Sequence, residues 1–154
     1  MKPERIAKPS FAVIGKLGST EDGPGFVQRL WADANAHFEE IGGLALRGEN
    51  GLPIGIWGAM SDFSGAFQPW EENFSRGLYL AGVETSTDAA PPAGWTKWIL
   101  PGWECLKFER TGPDSFPEAL KYLRENDIPL AGAVQDFTDP AEGKEYMLFP
   151  VRRL

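Results

Sequence analysis

The residue best placed to do chemistry is Glu84, which ends a strand-like run of apolar residues. Residues 77–85 read GLYLAGVET, and the two-residue period of a β-strand puts Glu84 on one face with Gly82 and two leucines. Burying an ionised carboxylate without a partner is unfavourable, so such a group binds a cation or its pKa rises. Gly82 lacks a side chain and is expected to leave space beside it. The pattern predicts a ligand-binding carboxylate, with a solvated strand-end glutamate as the alternative.

Aromatic residues are the second candidate element, since the chain of 154 residues holds six tryptophans and ten phenylalanines. Rings of this kind wall pockets for flat or lipophilic ligands and hold cations over their faces. We expect Trp57, Trp95 and Trp98 either to line such a pocket or to pack in the core. Tyr146, on the last predicted strand, could reach the same place from the other half of the chain. Trp31 falls on the apolar stripe of a predicted helix and is expected in the core.

Other chemistries find little support. His37 is the only histidine, which argues against a histidine-rich metal site and leaves one candidate for a catalytic triad. Cys105 has no histidine nearby in sequence, so a buried or half-buried thiol is expected. The glycines around Lys16 do not have the spacing of a phosphate-binding loop. We therefore predict neither a metal nor a cofactor.

Composition limits the class of protein. The net charge of −7 argues against a nucleic-acid surface and mildly favours cationic partners. A single cysteine excludes an internal disulfide framework and fits a reducing compartment. No run approaches the roughly 18 apolar residues of a membrane span, and the first residues do not resemble a signal peptide. We expect a cytoplasmic protein without direct nucleic-acid or membrane partners.

An internal repeat organises the elements that must position these residues. The string GAMSDF at residues 58–63 returns as GAVQDF at residues 132–137, 74 positions later. Self-similarity at one long offset indicates a duplicated supersecondary unit, and the seam between two such units is a natural place for a pocket. We predict one domain over residues 1–154, with pseudo-repeats at 10–86 and 95–154 joined by a Pro/Gly-rich linker at 87–94.

Hydrophobic periodicity gives the same element order in both halves, a strand, a helix and two strands, with one additional strand at the linker. Helices are predicted over residues 26–41 and 115–126. Strands are predicted over residues 11–18, 53–61, 77–85, 95–100, 103–110, 130–138 and 144–152. The predicted class is α+β.

Several strings resemble the GyrI-like small-molecule-binding family, which also supplies the effector-binding domain of AraC-type and MerR-type drug-responsive regulators. They are GIWGAMSDF (55–63), GLYLAGVE (77–84), PAGW with ILPG (92–102), FERTGP (108–113) and FPV (149–151). The resemblance covers nearly everything from residue 10 onward. It implies duplicated βαββ modules side by side, an antiparallel sheet with two helices on one face, and a ligand cleft between the halves. It also implies that Glu84 lies in the pocket and meets cationic groups of ligands.

The chain departs from that family in two places. Regulators of this kind carry a helix-turn-helix ahead of the domain, whereas about nine residues precede the first predicted strand here. The expectation is a stand-alone domain that serves a separately encoded regulator. Family members often have an acidic residue four positions before the terminal proline; here Tyr146 occupies that position, with Glu145 beside it.

Three functions remain open from the sequence. The first is capture or sequestration of an amphipathic small molecule, cationic or aromatic, by Glu84, Trp57, Trp95, Trp98, Tyr146 and the space at Gly82. The second is hydrolysis of strained electrophiles with Glu84 as general base, because some family members do this. The third is inhibition of a protein partner such as a topoisomerase, as one family member does.

Overall fold

The β-branched and aromatic runs of the sequence form eight strands, and all eight belong to one antiparallel sheet. The computed structural model describes residues 2–154. The strands are β1 (Glu4–Lys8), β2 (Phe11–Ser19), β3 (Ile56–Ser61), β4 (Leu78–Thr85), β5 (Thr96–Leu100), β6 (Trp103–Glu109), β7 (Gln135–Asp139) and β8 (Lys144–Arg153).

Two longer helices and one short turn join the strands. Helix α1 (Phe26–Ala36) follows β2, and helix α3 (Ser115–Glu125) follows β6. The short α2 (Glu71–Phe74) precedes β4, and two 3-10 turns cover Thr20–Asp22 and Phe38–Glu40. The predicted helix over residues 26–41 therefore has its last part as a 3-10 turn.

The strand order is symmetric about its centre: β1-β6-β8-β7-β3-β4-β2-β5. Strands β3 and β7, which carry parts of the two repeated strings, lie side by side at the seam. There Trp57 is paired with Phe137, and Gly58 with Asp136. The two halves exchange their first strands. Strand β1 pairs with β6 of the second half, and β5 pairs with β2 of the first half.

The two faces of this curled sheet are covered differently. Helices α1 and α3 pack on one face, the helix face, against residues such as Val83, Ile14 and Phe108. The other face, the concave face, holds a cluster of side chains from six strands, including Val13, Leu80, Trp57 and Leu148. Alternation along β4 sends Tyr79 to the helix face and Glu84 to the concave face, as the two-residue period predicts.

The predicted α+β class, antiparallel sheet and shared face of both helices are confirmed. Strand β1 is an addition that the sequence did not predict. Its residues ERIAK contain one large apolar side chain, Ile6, and three charged ones. Edge strands of natural sheets are often charged in this way, so β1 lacks the apolar signal by which strands are usually recognised.

Candidate functional site

A cleft of about 560 Å³ opens on the helix face above the β3–β7 seam. Helix α1 forms one side, and the seam strands with the end of β8 form the floor and the other side. Its lining consists of Val27, Gln28, Trp31, Asn35, Ile56, Gly58, Tyr79, Arg110, Asp136, Phe137, Thr138, Glu145 and Tyr146. The cleft lies where the two halves meet, as the fold prediction requires.

The floor of the cleft is built around Tyr79. The Tyr79 side chain is buried, and its hydroxyl accepts a hydrogen bond of 3.0 Å from Nε1 of Trp31. A Cβ at Gly58 would lie 2.0 Å from that hydroxyl, so only glycine fits beneath it. Burial raises the pKa of Tyr79, which keeps the phenol protonated and able to donate.

Asp136 brings negative charge to this floor, and Arg110 brings its counter-charge. Arg110 Nη2 donates to Asp136 Oδ1 at 3.0 Å, and both side chains remain about 30% exposed (32% and 29%). Burial raises the pKa of the Asp136 carboxyl more than the neighbouring guanidinium lowers it, and the charge of Glu145 adds to the rise. Because Glu145 itself is exposed, Asp136 is the carboxylate that burial prepares for a cation.

The repeated string does not produce two equivalent aspartates. Asp62, in the first copy, accepts hydrogen bonds from Ser61, Ser64 and the backbone N–H of Gln68. These bonds hold Asp62 inside the turn after β3. Asp136, in the second copy, lies within β7 opposite Gly58 and lines the cleft.

Glu84 lies on the concave face and is already paired. Lys8 Nζ donates to both carboxylate oxygens at 3.0 and 2.9 Å, and Trp57 Nε1 donates to Oε1 at 3.1 Å. The side chain of Glu84 is 7% exposed and that of Lys8 27%. The Lys8 ammonium also lies 4.7 Å from the ring centre of Phe11 and 5.7 Å from that of Trp57. Glu84 is absent from the lining of the cleft described above.

An aromatic row on the concave face joins two of the other predicted residues. The Trp57 ring lies 4.7 Å from Phe137, which stacks on Tyr146 at 6.2 Å between centroids. Lys107 Nζ stands 4.0 Å from the centre of the Tyr146 ring. The Tyr146 hydroxyl donates to Glu142 at 3.0 Å. The structure thus brings Glu84, Trp57 and Tyr146 to one face, and of these three Tyr146 also lines the cleft.

The two remaining tryptophans of the predicted set lie on opposite faces. Trp98 is paired across β2 and β5 with Val13, which is itself paired with Glu84 on its other side. Trp95 lies on the helix face, donates from Nε1 to Glu40 at 2.8 Å, and packs in the cluster that contains Ile14. Trp95 therefore cannot share a wall with Glu84.

Gly82 does not leave an open space. A Cβ at this position would lie 2.1 Å from the carbonyl oxygen of Ile14 and 2.6 Å from Cα of Gly15. The backbone of β2 occupies the volume that a side chain would need. The expectation of a vacancy beside Glu84 is corrected accordingly: Gly82 permits close approach of two strands.

Of the predicted ligand-binding residues, only Tyr146 lines the cleft, and sequence reasoning missed the other residues of its lining. Trp31 was expected in the core, and it is half-buried at the cleft wall with its indole N–H on Tyr79. Arg110 and Asp136 were not singled out, although Arg110 lies in a string that carries the family resemblance (108–113) and Asp136 lies in the second copy of the repeat (132–137). The usable signal was the repeat itself, because its two copies place β3 and β7 side by side at the pseudo-symmetric seam that forms the cleft floor.

The described part of the chain offers no assembly for metal chemistry. Among residues 2–154, no three His, Cys, Asp or Glu side chains are grouped so that they could hold a metal ion. Within the same residues, the helices are all too short or too polar to cross a membrane.

Comparison with known proteins supports the fold. No protein-family model matches the chain, and no curated protein matches it in sequence. Among solved structures, it is similar to SAV2435 bound to tetraphenylphosphonium, with a TM-score of 0.65, 15% identity, and coverage of 99% of this chain and 94% of that one. The EcmrR C-terminal domain gives a TM-score of 0.62 at 12% identity, with full coverage of both chains. EcmrR in complex with DNA gives a TM-score of 0.64 at 12% identity, covering 99% of this chain and 58% of that one. These likenesses are consistent with the fold that the GyrI-like resemblance implies.

Proposed function

We propose that the protein captures an amphipathic small molecule, cationic or aromatic, in the cleft between its halves. The observation that carries this function is the Asp136 carboxylate, which is half-buried on the cleft floor beside Tyr79 and Trp31. A cation would gain a charge partner there together with aromatic surface. The protein would act as an effector-like binding or sequestering domain.

The dimensions and lining of the cleft support a ligand of drug-like size. Pockets for small molecules occupy roughly 300–1,000 Å³ and combine apolar walls with a few polar groups, and this cleft has about 560 Å³. The residues that α1 contributes to the cleft are apolar or neutral. The charged residues of the lining are Arg110, Asp136 and Glu145. SAV2435, which shares the fold, has been solved with the lipophilic cation tetraphenylphosphonium, so this cation is a suitable probe.

Two carboxylates compete as the partner of the ligand's positive charge. The residues predicted from the sequence place this charge at Glu84, surrounded by Gly82, Trp57, Trp95, Trp98 and Tyr146. On the concave face, however, the Lys8 ammonium already binds both oxygens of Glu84. A ligand cation would have to displace it from among the rings of Phe11 and Trp57. We therefore give the charge-recognising role to Asp136 and keep Glu84 as the rival position.

Paired substitutions decide between these positions. Tetraphenylphosphonium is titrated calorimetrically into wild type, Asp136→Asn and Glu84→Gln, each first checked for cooperative thermal unfolding. Losing a partly desolvated charge contact is worth about 1.5–3 kcal/mol, or roughly tenfold or more in affinity. We expect that loss in Asp136→Asn alone. A loss confined to Glu84→Gln would favour the rival position, and absence of binding by wild type to this and other aromatic cations would refute ligand capture.

Hydrolysis is the second candidate, and one observation favours it. The cleft contains a carboxyl whose pKa is raised, Asp136, and a protonated phenol, Tyr79. In a strained-ring substrate, Asp136 would take a proton from water as the oxygen attacks carbon, and Tyr79 would protonate the leaving atom. Mass spectrometry of an epoxide or cyclopropane-containing substrate would detect a gain of one water. Tyr79→Phe and Asp136→Asn should both abolish that product.

A cytoplasmic location and a regulatory partner are further parts of the proposal. Burial raises the pKa of the Cys105 thiol to about 12, so the thiol stays protonated and unreactive. This supports a role for Cys105 in core packing. The fold is shared with a domain of EcmrR, a protein solved on DNA, and a regulator is the partner we propose. Co-purification from cytoplasmic extract with and without an aromatic cation tests both points.

A further inference from the structure

A second, smaller cavity lies directly behind the Arg110–Asp136 pair. It has a volume of about 160 Å³, and the only residues it shares with the lining of the main cleft are Arg110 and Asp136. Its other lining residues are Met60, Trp70, Phe74, Phe116 and Val134. The ion pair therefore stands between a large cleft of mixed polarity and a small apolar side pocket.

The side pocket matches one aromatic ring in size and chemistry. An engineered apolar cavity of about 150 Å³ in another protein binds benzene, and the volume here is nearly the same. Three aromatic side chains and the Met60 thioether provide the surfaces that aryl groups prefer. Phe74 and Phe116 meet edge to face, 5.3 Å between centroids, and Trp70 is fixed by its N–H on the carbonyl of Leu78 at 3.0 Å.

The backbone that presents Phe74 is strained. Glu72, Asn73 and Phe74 have φ values of 50°, 58° and 64°, three consecutive non-glycine residues in the left-handed region. Each such residue costs roughly 1–2 kcal/mol. Strain of this kind commonly marks ligand clamps and switch segments, and here its result is to bring the Phe74 ring to the mouth of the side pocket.

We propose that the ligand is an aryl-substituted cation whose charge replaces Arg110 at Asp136 while one aromatic ring enters the side pocket. This inference rests on the proposed function and specifies its ligand class. Arg110 is an internal competitor in the free protein: its guanidinium occupies Asp136 Oδ1 through a single hydrogen bond and remains 32% exposed, so it can move toward solvent. When it leaves, the two cavities become one.

Methyl NMR of the methionines reports directly on the side pocket. The chain has three methionines; Met60 lines the side pocket, and Met147 is buried in the neighbouring core cluster. Tetraphenylphosphonium should shift the Met60 methyl signal by ring current and leave that of Met147 nearly unchanged. Tetraethylammonium, a cation without rings, should not shift Met60. Binding of tetraphenylphosphonium without a Met60 shift would overturn this inference and leave ligand capture standing, whereas no binding of any aromatic cation would refute both.

Two variant pairs test the competitor and the ring site. Arg110→Gln should bind tetraphenylphosphonium at least about fivefold more tightly, since it removes the competing charge. Arg153→Gln, an equal charge change at the exposed end of β8, should bind like wild type. Phe74→Gly relieves the left-handed strain but removes one wall, so affinity should fall about threefold or more; Asn73→Gly relieves strain without touching the pocket and should bind normally. Unchanged or weaker binding by Arg110→Gln would overturn the competitor role.

Discussion

Glu84 and Asp136 are both acidic residues in central strands, and each is paired with a cation from a distant part of the chain. Glu84 receives three hydrogen bonds, two from Lys8 and one from Trp57, and is 7% exposed. Asp136 receives one, from Arg110, and is 29% exposed at the floor of a cleft. Both oxygens of the first carboxylate accept hydrogen bonds from protein groups, whereas the second carboxylate is bonded through Oδ1 alone and keeps Oδ2 available.

The difference indicates separate tasks for the two faces of the sheet. On the concave face, the ammonium of Lys8 and its aromatic neighbours close the end of a packed core. On the helix face, α1 borders an open cleft above the seam, where charged groups and aromatic rings are left accessible. A charge among apolar residues thus does not by itself identify a ligand site; the number of partners that the protein already supplies decides the matter.

The largest effect on stability is expected at the Lys8–Glu84 pair. Lys8→Met leaves an almost fully buried carboxylate without a counter-charge, which costs about 3 kcal/mol of unfolding free energy. Glu84→Gln keeps an acceptor for Trp57 and should cost less, about 1–2 kcal/mol. Urea unfolding of both variants and of the double variant measures the coupling, and the double variant should be more stable than the sum of the single losses predicts.

Lys121→Met is the control for the loss of a lysine charge. Lys121 is exposed on α3 and pairs only with its helix neighbour Glu125 at 3.7 Å, so its removal should cost no more than about 0.5 kcal/mol. If Lys8→Met were as mild as this control, Glu84 would not need its lysine. The contrast between Glu84, whose carboxylate is paired within the protein, and Asp136, whose carboxylate has an oxygen available to a ligand, would then not hold.

A middle-sized effect is expected at the glycine beneath the cleft floor. In Gly58→Ala the new methyl would lie 2.0 Å from the Tyr79 hydroxyl, and forcing a methyl into such a site costs about 1–3 kcal/mol. The phenol must move, which breaks its hydrogen bond from Trp31. We expect both lower thermal stability and weaker binding of tetraphenylphosphonium.

Gly43→Ala is the matched control, because a Cβ at Gly43 meets no atom within 4 Å. It should leave stability and ligand affinity close to those of wild type. A Gly58→Ala variant that binds normally would show that the Tyr79 floor is not part of the ligand site. That outcome would weaken the assignment of the cleft to ligand capture while leaving the concave face unaffected.

Much of the fold could be predicted from the sequence because it is encoded locally. Alternation along β4, helical spacing in α1 and the repeated string gave the element order and the antiparallel class. Strand β1 could not be found this way, since its pairing with β6 is a long-range contact of a charged segment. The exchange of first strands between the halves was unpredictable for the same reason.

The candidate site was less accessible to sequence reasoning. Alternation correctly separated Glu84 from Tyr79, yet it could not show that Lys8, 76 positions earlier, would reach Glu84. Nor could it distinguish the two aspartates of the repeat, because their difference depends on turn geometry. Ser61 and Ser64 hold Asp62 in its turn, whereas Asp136 lies within β7, although Thr138 occupies the position that corresponds to Ser64.

The smallest effect on stability, and the sharpest test of the contrast, concerns Asp136. Its pKa is raised in the folded protein, mainly by burial, so ionised Asp136 opposes folding. Its contribution to stability is complete below the ordinary aspartate pKa of about 3.9 and is lost as pH rises through the raised folded pKa. Asp136→Asn lacks this loss and should lie within about 1 kcal/mol of wild type at pH 7, equal or more stable.

Cation binding must follow the opposite pH dependence, because a cationic ligand prefers the ionised carboxylate. Affinity for tetraphenylphosphonium should therefore increase as pH rises through the same pKa at which the free protein loses stability. Calorimetric titrations and urea unfolding at matched pH values would show both slopes in wild type and neither in Asp136→Asn. Glu145→Gln controls for the second acid at the rim. Parallel slopes, or a binding slope that persists without Asp136, would mean that the available carboxylate is not the one that holds the cation.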